Sequence, residues 1–113
     1  GLALILFMAT AVFNSAMAQD KYGFAISDQK YSDKERIYYY FISDPVKNWD
    51  EMSEQEKNDF NIEFKMSAKK QTGEDLVTEY RVGFYQGTDR YNSLAEAKQA
   101  IEKRIETIEE SQT

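Results

Sequence analysis

Apolar residues fall in three patterns along the chain: one unbroken run, several stretches alternating with period two, and two stretches with helical spacing. The unbroken run covers residues 2–13, where only Thr10 interrupts. About a dozen apolar residues suit the hydrophobic region of a secretory signal and fall short of the roughly 20 needed to cross a bilayer. Small residues follow, ending in Ala16-Met17-Ala18, an A-x-A cleavage sequence. Residues 1–18 are therefore expected to be a signal peptide cut between Ala18 and Gln19, leaving 19–113 as a single domain. A signal begins with Met and a basic region, whereas this sequence begins at Gly1, so its first residues are expected to be missing. An uncleaved membrane anchor is the competing reading.

Period-two alternation marks strands. In 22–27, Tyr22, Phe24 and Ile26 share one face, with Gly23 and Ala25 on the other. Residues 36–43 are richest in the aromatic and β-branched side chains that suit a pleated surface. Ile37, Tyr39 and Phe41 lie on one side, Tyr38, Tyr40 and Ile42 on the other, and bulk on both sides points to a strand covered twice. Asp44-Pro45 ends it, because proline cannot donate to a ladder. A third strand is expected over 77–86, with Tyr80, Val82 and Phe84 facing one way and Glu79, Arg81, Gly83 and Tyr85 the other. The turn Gly87-Thr88-Asp89 follows.

Two helices complete the pattern. Ser53 and Glu56 have capping-box spacing, and Met52, Phe60, Phe64 and Ala68 form a stripe that Ile62 and Met66 widen; Gly73 marks the end. Ser93 and Glu96 repeat the capping spacing before Leu94, Ala97, Ile101, Ile105 and Ile108. Glu106, Glu109 and Glu110 oppose the dipole of that helix, whose final turn is expected to fray. The mature order is β-β-α-β-α. The expected class is α+β: a small, mainly antiparallel three-stranded sheet with both helices on one face. Two orders remain open, one with the first strand central and one with the second.

Composition narrows the chemistry. Lys+Arg number 14 against Asp+Glu 20, a net charge of -6, and every charge lies beyond residue 18. An acidic surface repels phosphate backbones and anionic lipid, so nucleic-acid binding is not expected. The chain has no His and no Cys. Imidazole bases, thiol nucleophiles and the usual zinc ligands are therefore absent. Ser-x-x-Lys occurs at Ser67 and again at Ser27, without the companion elements of the penicillin-binding enzymes. The acids Asp50, Glu51, Glu54 and Glu56 cluster at a helix start, where the dipole favours them, and no calcium-loop pattern accompanies them. No catalytic residue, metal ligand or cofactor is assigned.

Tyrosine is the unusual component, with 8 in the chain. Tyr38, Tyr40 and Tyr85 fall on the strand face away from the expected core, with Arg36 and Arg81 near them. Tyr and Arg dominate binding hot spots. These five residues are the candidate binding site, set against cross-strand packing of the rings over Gly23, Ala25 and Gly83. Trp49 is assigned as a lid over the edge of the core.

Tyr80-Arg81-Val82-Gly83 together with Ser93-Leu94-Ala95-Glu96-Ala97 locally resembles the second half of SPOR domains, which bind peptidoglycan. The two strands before the first helix depart from the SPOR order, and no site is carried over. The expectation is an exported, periplasmic or secreted, non-catalytic binding domain whose partner is a protein or an envelope glycan. It has no membrane span once the signal is removed, and a homodimer is open to it. The alternatives are a peptidoglycan-binding module and a small carboxylate-dependent hydrolase.

Overall fold

The computed structural model describes residues 3–8, 19–79 and 81–112. Among the described residues, seven strands, a 3₁₀ turn and two α-helices follow in the order β1 (Ala3–Met8), β2 (Tyr22–Gly23), β3 (Ala25–Ile26), β4 (Lys30–Ser32), β5 (Ile37–Ser43), β6 (Val46–Lys47), the turn Trp49–Glu51, α1 (Glu54–Thr72), β7 (Gly83–Phe84) and α2 (Leu94–Ser111). The fold is α+β, with a mixed sheet of five strands and an antiparallel sheet of two. No helix among the described residues is long and apolar enough to cross a membrane.

In the large sheet β5 lies between β1 on one side and β3 and β4 on the other, and β7 pairs with the far side of β3. All these pairs are antiparallel except β1 with β5. The expected three-stranded sheet is met only coarsely. Its first strand is divided: β2 pairs with β6 in the small sheet, while β3 and β4 both pair with β5, with register slipping by one residue between them. That slip is a bulge. The stretch 28–35 between the two expected strands thus holds β4 and a turn closed by the Arg36 N–H donating to the Ser32 carbonyl at 2.7 Å. β3 sits between β5 and β7, which is one of the two orders the pattern left open. The third strand is reduced to Gly83–Phe84, and Tyr80 lies outside the described residues.

One expectation is corrected outright: the helices do not share a face. The alternation in β5 sends Tyr39 and Phe41 to one side and Tyr40 and Ile42 to the other. Tyr39, Phe41 and Ala25 pack with Phe60, Phe64 and Ala68 of α1. Ile42 and Phe24 pack with Ile101 and Ile108 of α2, and Tyr40, Tyr85 and Tyr91 close around them. Both sides of a strand this bulky must be covered, since each large apolar side chain withdrawn from water stabilises by about 1.5–3 kcal/mol. One helix cannot reach both sides.

Helix boundaries follow from their caps. Ser53 Oγ accepts the Glu56 N–H and Glu56 Oε1 accepts the Ser53 N–H, both at 3.1 Å. Gly73, at φ 76°, ends α1 in the left-handed conformation that glycine tolerates. At α2 only half the box forms: Ser93 Oγ accepts the Glu96 N–H, but Glu96 reaches one residue further, to the Asn92 N–H. Ile62 and Met66 do not widen the buried stripe of α1; they are 46% and 65% exposed. α2 continues to Ser111 despite its acidic last turns.

The expected leader overlaps β1. Residues 3–8 pair with 38–43 in parallel, Ala3 opposite Tyr38 and Met8 opposite Ser43. The proposed cut after Ala18 lies outside the described residues.

Candidate functional site

A cleft of about 620 Å³ opens between the first half of α1, the 3₁₀ turn and the segment from Arg81 to Thr88. Its position follows from local sequence. Asn48 takes the left-handed conformation (φ 50°), which asparagine tolerates better than most residues. Its side chain accepts the Lys21 N–H at 2.8 Å and donates to Asp20 at 3.0 Å, which pins the turn to the start of β2. The Lys47 ammonium and the Asn48 amide hold the Asp20 carboxyl below its ordinary range, with the amide the larger cause. Trp49 then points over the aromatic layer, its ring 4.7 Å from Phe84 and 5.3 Å from Phe60.

The opposite wall is tied to this one by polar groups. The Asp89 carboxylate accepts the Trp49 and Asp50 N–H groups at 2.8 and 3.0 Å, capping the 3₁₀ turn from a distant part of the chain. Thr88 Oγ1 donates to Asp50 at 2.9 Å. Gln86, Gly87 and Asp89 all have positive φ, so a tight, left-handed path delivers these groups. Burial, the larger cause, together with the Asp50 charge raises the Asp89 carboxyl above its ordinary value, although its two backbone donors pull the other way. Deeper in, buried Asn61 accepts the Val82 N–H and donates to the Lys57 carbonyl, both at 3.0 Å. It takes the place of a missing strand partner, because β7 begins only at Gly83.

The lining is chemically mixed. Trp49, Val82 and Phe84 give an apolar wall. Lys57 holds its ammonium 5.8 Å from the Trp49 ring centre and 3.9 Å from Glu54, near the outer limit of a cation–π contact. Asn58 and Arg81 add donors at the rim, and Thr88, whose hydroxyl proton goes to Asp50, adds an acceptor. Glu54 is the one carboxylate among the lining residues. Asp50 is engaged by Thr88 and Glu56 by its cap, so the acidic cluster read from sequence does not converge on the cleft. Among the described residues no three metal-ligating side chains gather.

The five residues singled out from sequence do not form one open face. Tyr40 and Tyr85 come together beneath α2, against the Phe24 cluster, and Arg104 lies 5.2 Å over the Tyr85 ring. Tyr38, two residues earlier on β5, has its ring 4.9 Å from that of Tyr31, directly opposite it on β4. Arg36 is exposed in the β4–β5 turn at φ 59°. Arg81 belongs to the cleft, on the α1 side. Sequence reasoning missed Lys57, Asn58, Asn61, Phe84 and Thr88 as cleft residues and placed Trp49 only as a lid. One signal was legible: Asn61 is a polar residue beside the buried stripe of α1.

Compared with protein-family models, with curated proteins and with solved structures, the chain matches none.

Proposed function

We propose that this protein is an exported, non-catalytic binding domain that takes its ligand in the Trp49–Phe84 cleft, and that the ligand is an envelope glycan. The observation that carries the reading is the aromatic wall mounted beside a rim of amide, hydroxyl and ammonium groups. A sugar ring offers apolar C–H faces to aromatic rings and hydroxyls to such donors and acceptors, and binding sites combine these features in this way. One lining carboxylate is too few for the paired acids of glycoside hydrolysis, which favours binding over turnover. Export is supported by the apolar run at 2–13 and the Ala16-Met17-Ala18 sequence after it.

Trp49 is the single tryptophan, so its fluorescence reports on the cleft alone. Titration with soluble peptidoglycan fragments should shift and saturate the emission, and Asn58→Ala with Thr88→Ala should weaken the response. Unchanged emission, together with no co-sedimentation with whole peptidoglycan, would reject the glycan. Release of reducing ends from the fragments would reject the non-catalytic reading.

A further inference from the structure

The sheet ends differently on its two sides. At the β7 end the edge strand is two residues long, which offers little backbone to a stray strand. At the other end the last strand is β1, and beneath it β5 runs for seven residues, Ile37–Ser43, with no charge and no proline among them. Charges, prolines and short length are the usual protections of an edge, and β5 has none of them. Its inward side is occupied: the Phe41 N–H donates to Ser27 Oγ and the Phe41 carbonyl accepts the Ser27 N–H, both at 2.9 Å. Strand alternation therefore turns the backbone groups of Tyr40 and Ile42 outward.

What covers this edge is β1. Ile5 packs against the cluster under α2 and Leu6 against the cluster under α1, while Leu4 is 39% exposed. The edge is thus a slot between two helical layers, shaped for an extended apolar segment with one anchor on each side of the sheet.

We propose that β5 is a strand-accepting edge, which residues 3–8 occupy in the uncut chain and which an apolar, uncharged peptide strand of another polypeptide occupies, parallel to β5, once the leader is removed. Backbone hydrogen bonds supply the affinity in this mode of recognition and the alternating side chains supply the selectivity. The leader then acts as a plug that delays binding until processing. This inference rests on the proposed removal of residues 1–18, and it is separate from the glycan cleft, which β1 does not line.

The test uses the full chain with a protease site inserted between Met8 and Gln19. The probe is a fluorescent peptide, Ala-Leu-Ile-Leu-Phe-Met, with a lysine tail for solubility. Anisotropy should show uptake after cleavage and none before it. Asp in place of the peptide's third or fourth residue, the equivalents of Ile5 and Leu6, should weaken uptake by about tenfold or more, whereas Lys in place of the second should be tolerated. A photoreactive group at the fourth position should cross-link near Phe41, its register partner. No uptake, equal uptake of the Asp peptides, or unfolding on cleavage would overturn the proposal. A dimer forming through β5 in the cut protein would overturn it in favour of a second copy as occupant. Intact mass of the exported product tests leader removal separately, so the two failures are distinguishable.

Discussion

Asp89 accepts the backbone N–H of Trp49 at 2.8 Å across 40 residues of sequence. This bond joins the two walls of the cleft and sets the position of the single tryptophan. The carboxylate achieves it while half withdrawn from water and close to Asp50, and burial raises its proton affinity.

That shift has a definite sign. A carboxyl whose folded value is raised above 3.8 binds protons more readily in the folded than in the unfolded chain. Its contribution to stability is complete below 3.8 and is lost as pH rises through the raised value. Urea melts of the native chain and of Asp89→Asn, compared from pH 3.5 to 7, should show the native chain losing stability relative to the variant across that window and running parallel above it. Parallel behaviour throughout would show that Asp89 does not titrate as described.

Asn61→Ala should destabilise by about 1–3 kcal/mol, because it leaves the Val82 N–H buried without an acceptor. The same change should speed amide exchange at Val82 and alter Trp49 emission through the neighbouring Phe84. Denaturant melts and exchange by mass spectrometry check both.

Gly23 lies behind the cleft floor. A Cβ there would stand 3.2 Å from the Phe84 ring and 3.3 Å from the Asp89 nitrogen. Gly23→Ala should cost about 1–3 kcal/mol, typical of overpacking, and should displace both walls together. A stability change without altered Trp49 fluorescence would mean that the strain is relieved elsewhere.

Tyr40→Ser and Tyr38→Ser should differ although the residues are neighbours on one face. Tyr40 packs into the α2 cluster, so its loss should cost about 2 kcal/mol, somewhat under the loss for a fully buried aromatic. Tyr38 pairs chiefly with Tyr31, a contact worth about 0.5–1.5 kcal/mol. Equal losses in thermal melts would contradict this placement.

Tyr39 donates to Glu35 at 2.6 Å, and this bond, with burial second, pushes its phenol up to about 12. The folded value lies above the ordinary 10, so the stability it contributes is whole below pH 10 and disappears as pH rises towards about 12. Absorbance near 295 nm, a wavelength chosen for phenolate, should show a late-ionising component that Tyr39→Phe diminishes, and what remains of it belongs to Tyr91, whose phenol burial also raises.

Tyr40 and Asn61 show why the binding site was harder to read than the fold. The alternation in β5 correctly separates Tyr40 from Tyr39, yet it is silent on whether the Tyr40 side meets solvent or a helix. Bulk on both sides of the strand was visible in the sequence, and it pointed to cover on both sides, which conflicts with placing both helices on one face. Asn61 looks like an imperfection in an apolar stripe until Val82, 21 residues later, is brought to it. The capping residues Ser53 and Gly73 were legible because their partners lie within one helical turn. Half of the second capping box failed because Asn92 competes with Ser93 for the Glu96 carboxylate, and spacing alone does not rank two adjacent donors.

Local chemistry, written in the order of residues, was enough by itself for the α+β class, both helix starts, the bulky two-sided strand and the apolar segment ahead of it. Each depends on contacts within a few positions, where spacing dictates geometry. The opposite placement of the helices, the division of the first strand, the pairing of β1 with β5 and the cleft closed by Asp89 were decided only by tertiary structure. They join residues tens of positions apart, and which distant groups meet is settled by the need to cover both apolar sides of β5 at once while leaving no buried backbone donor unpaired.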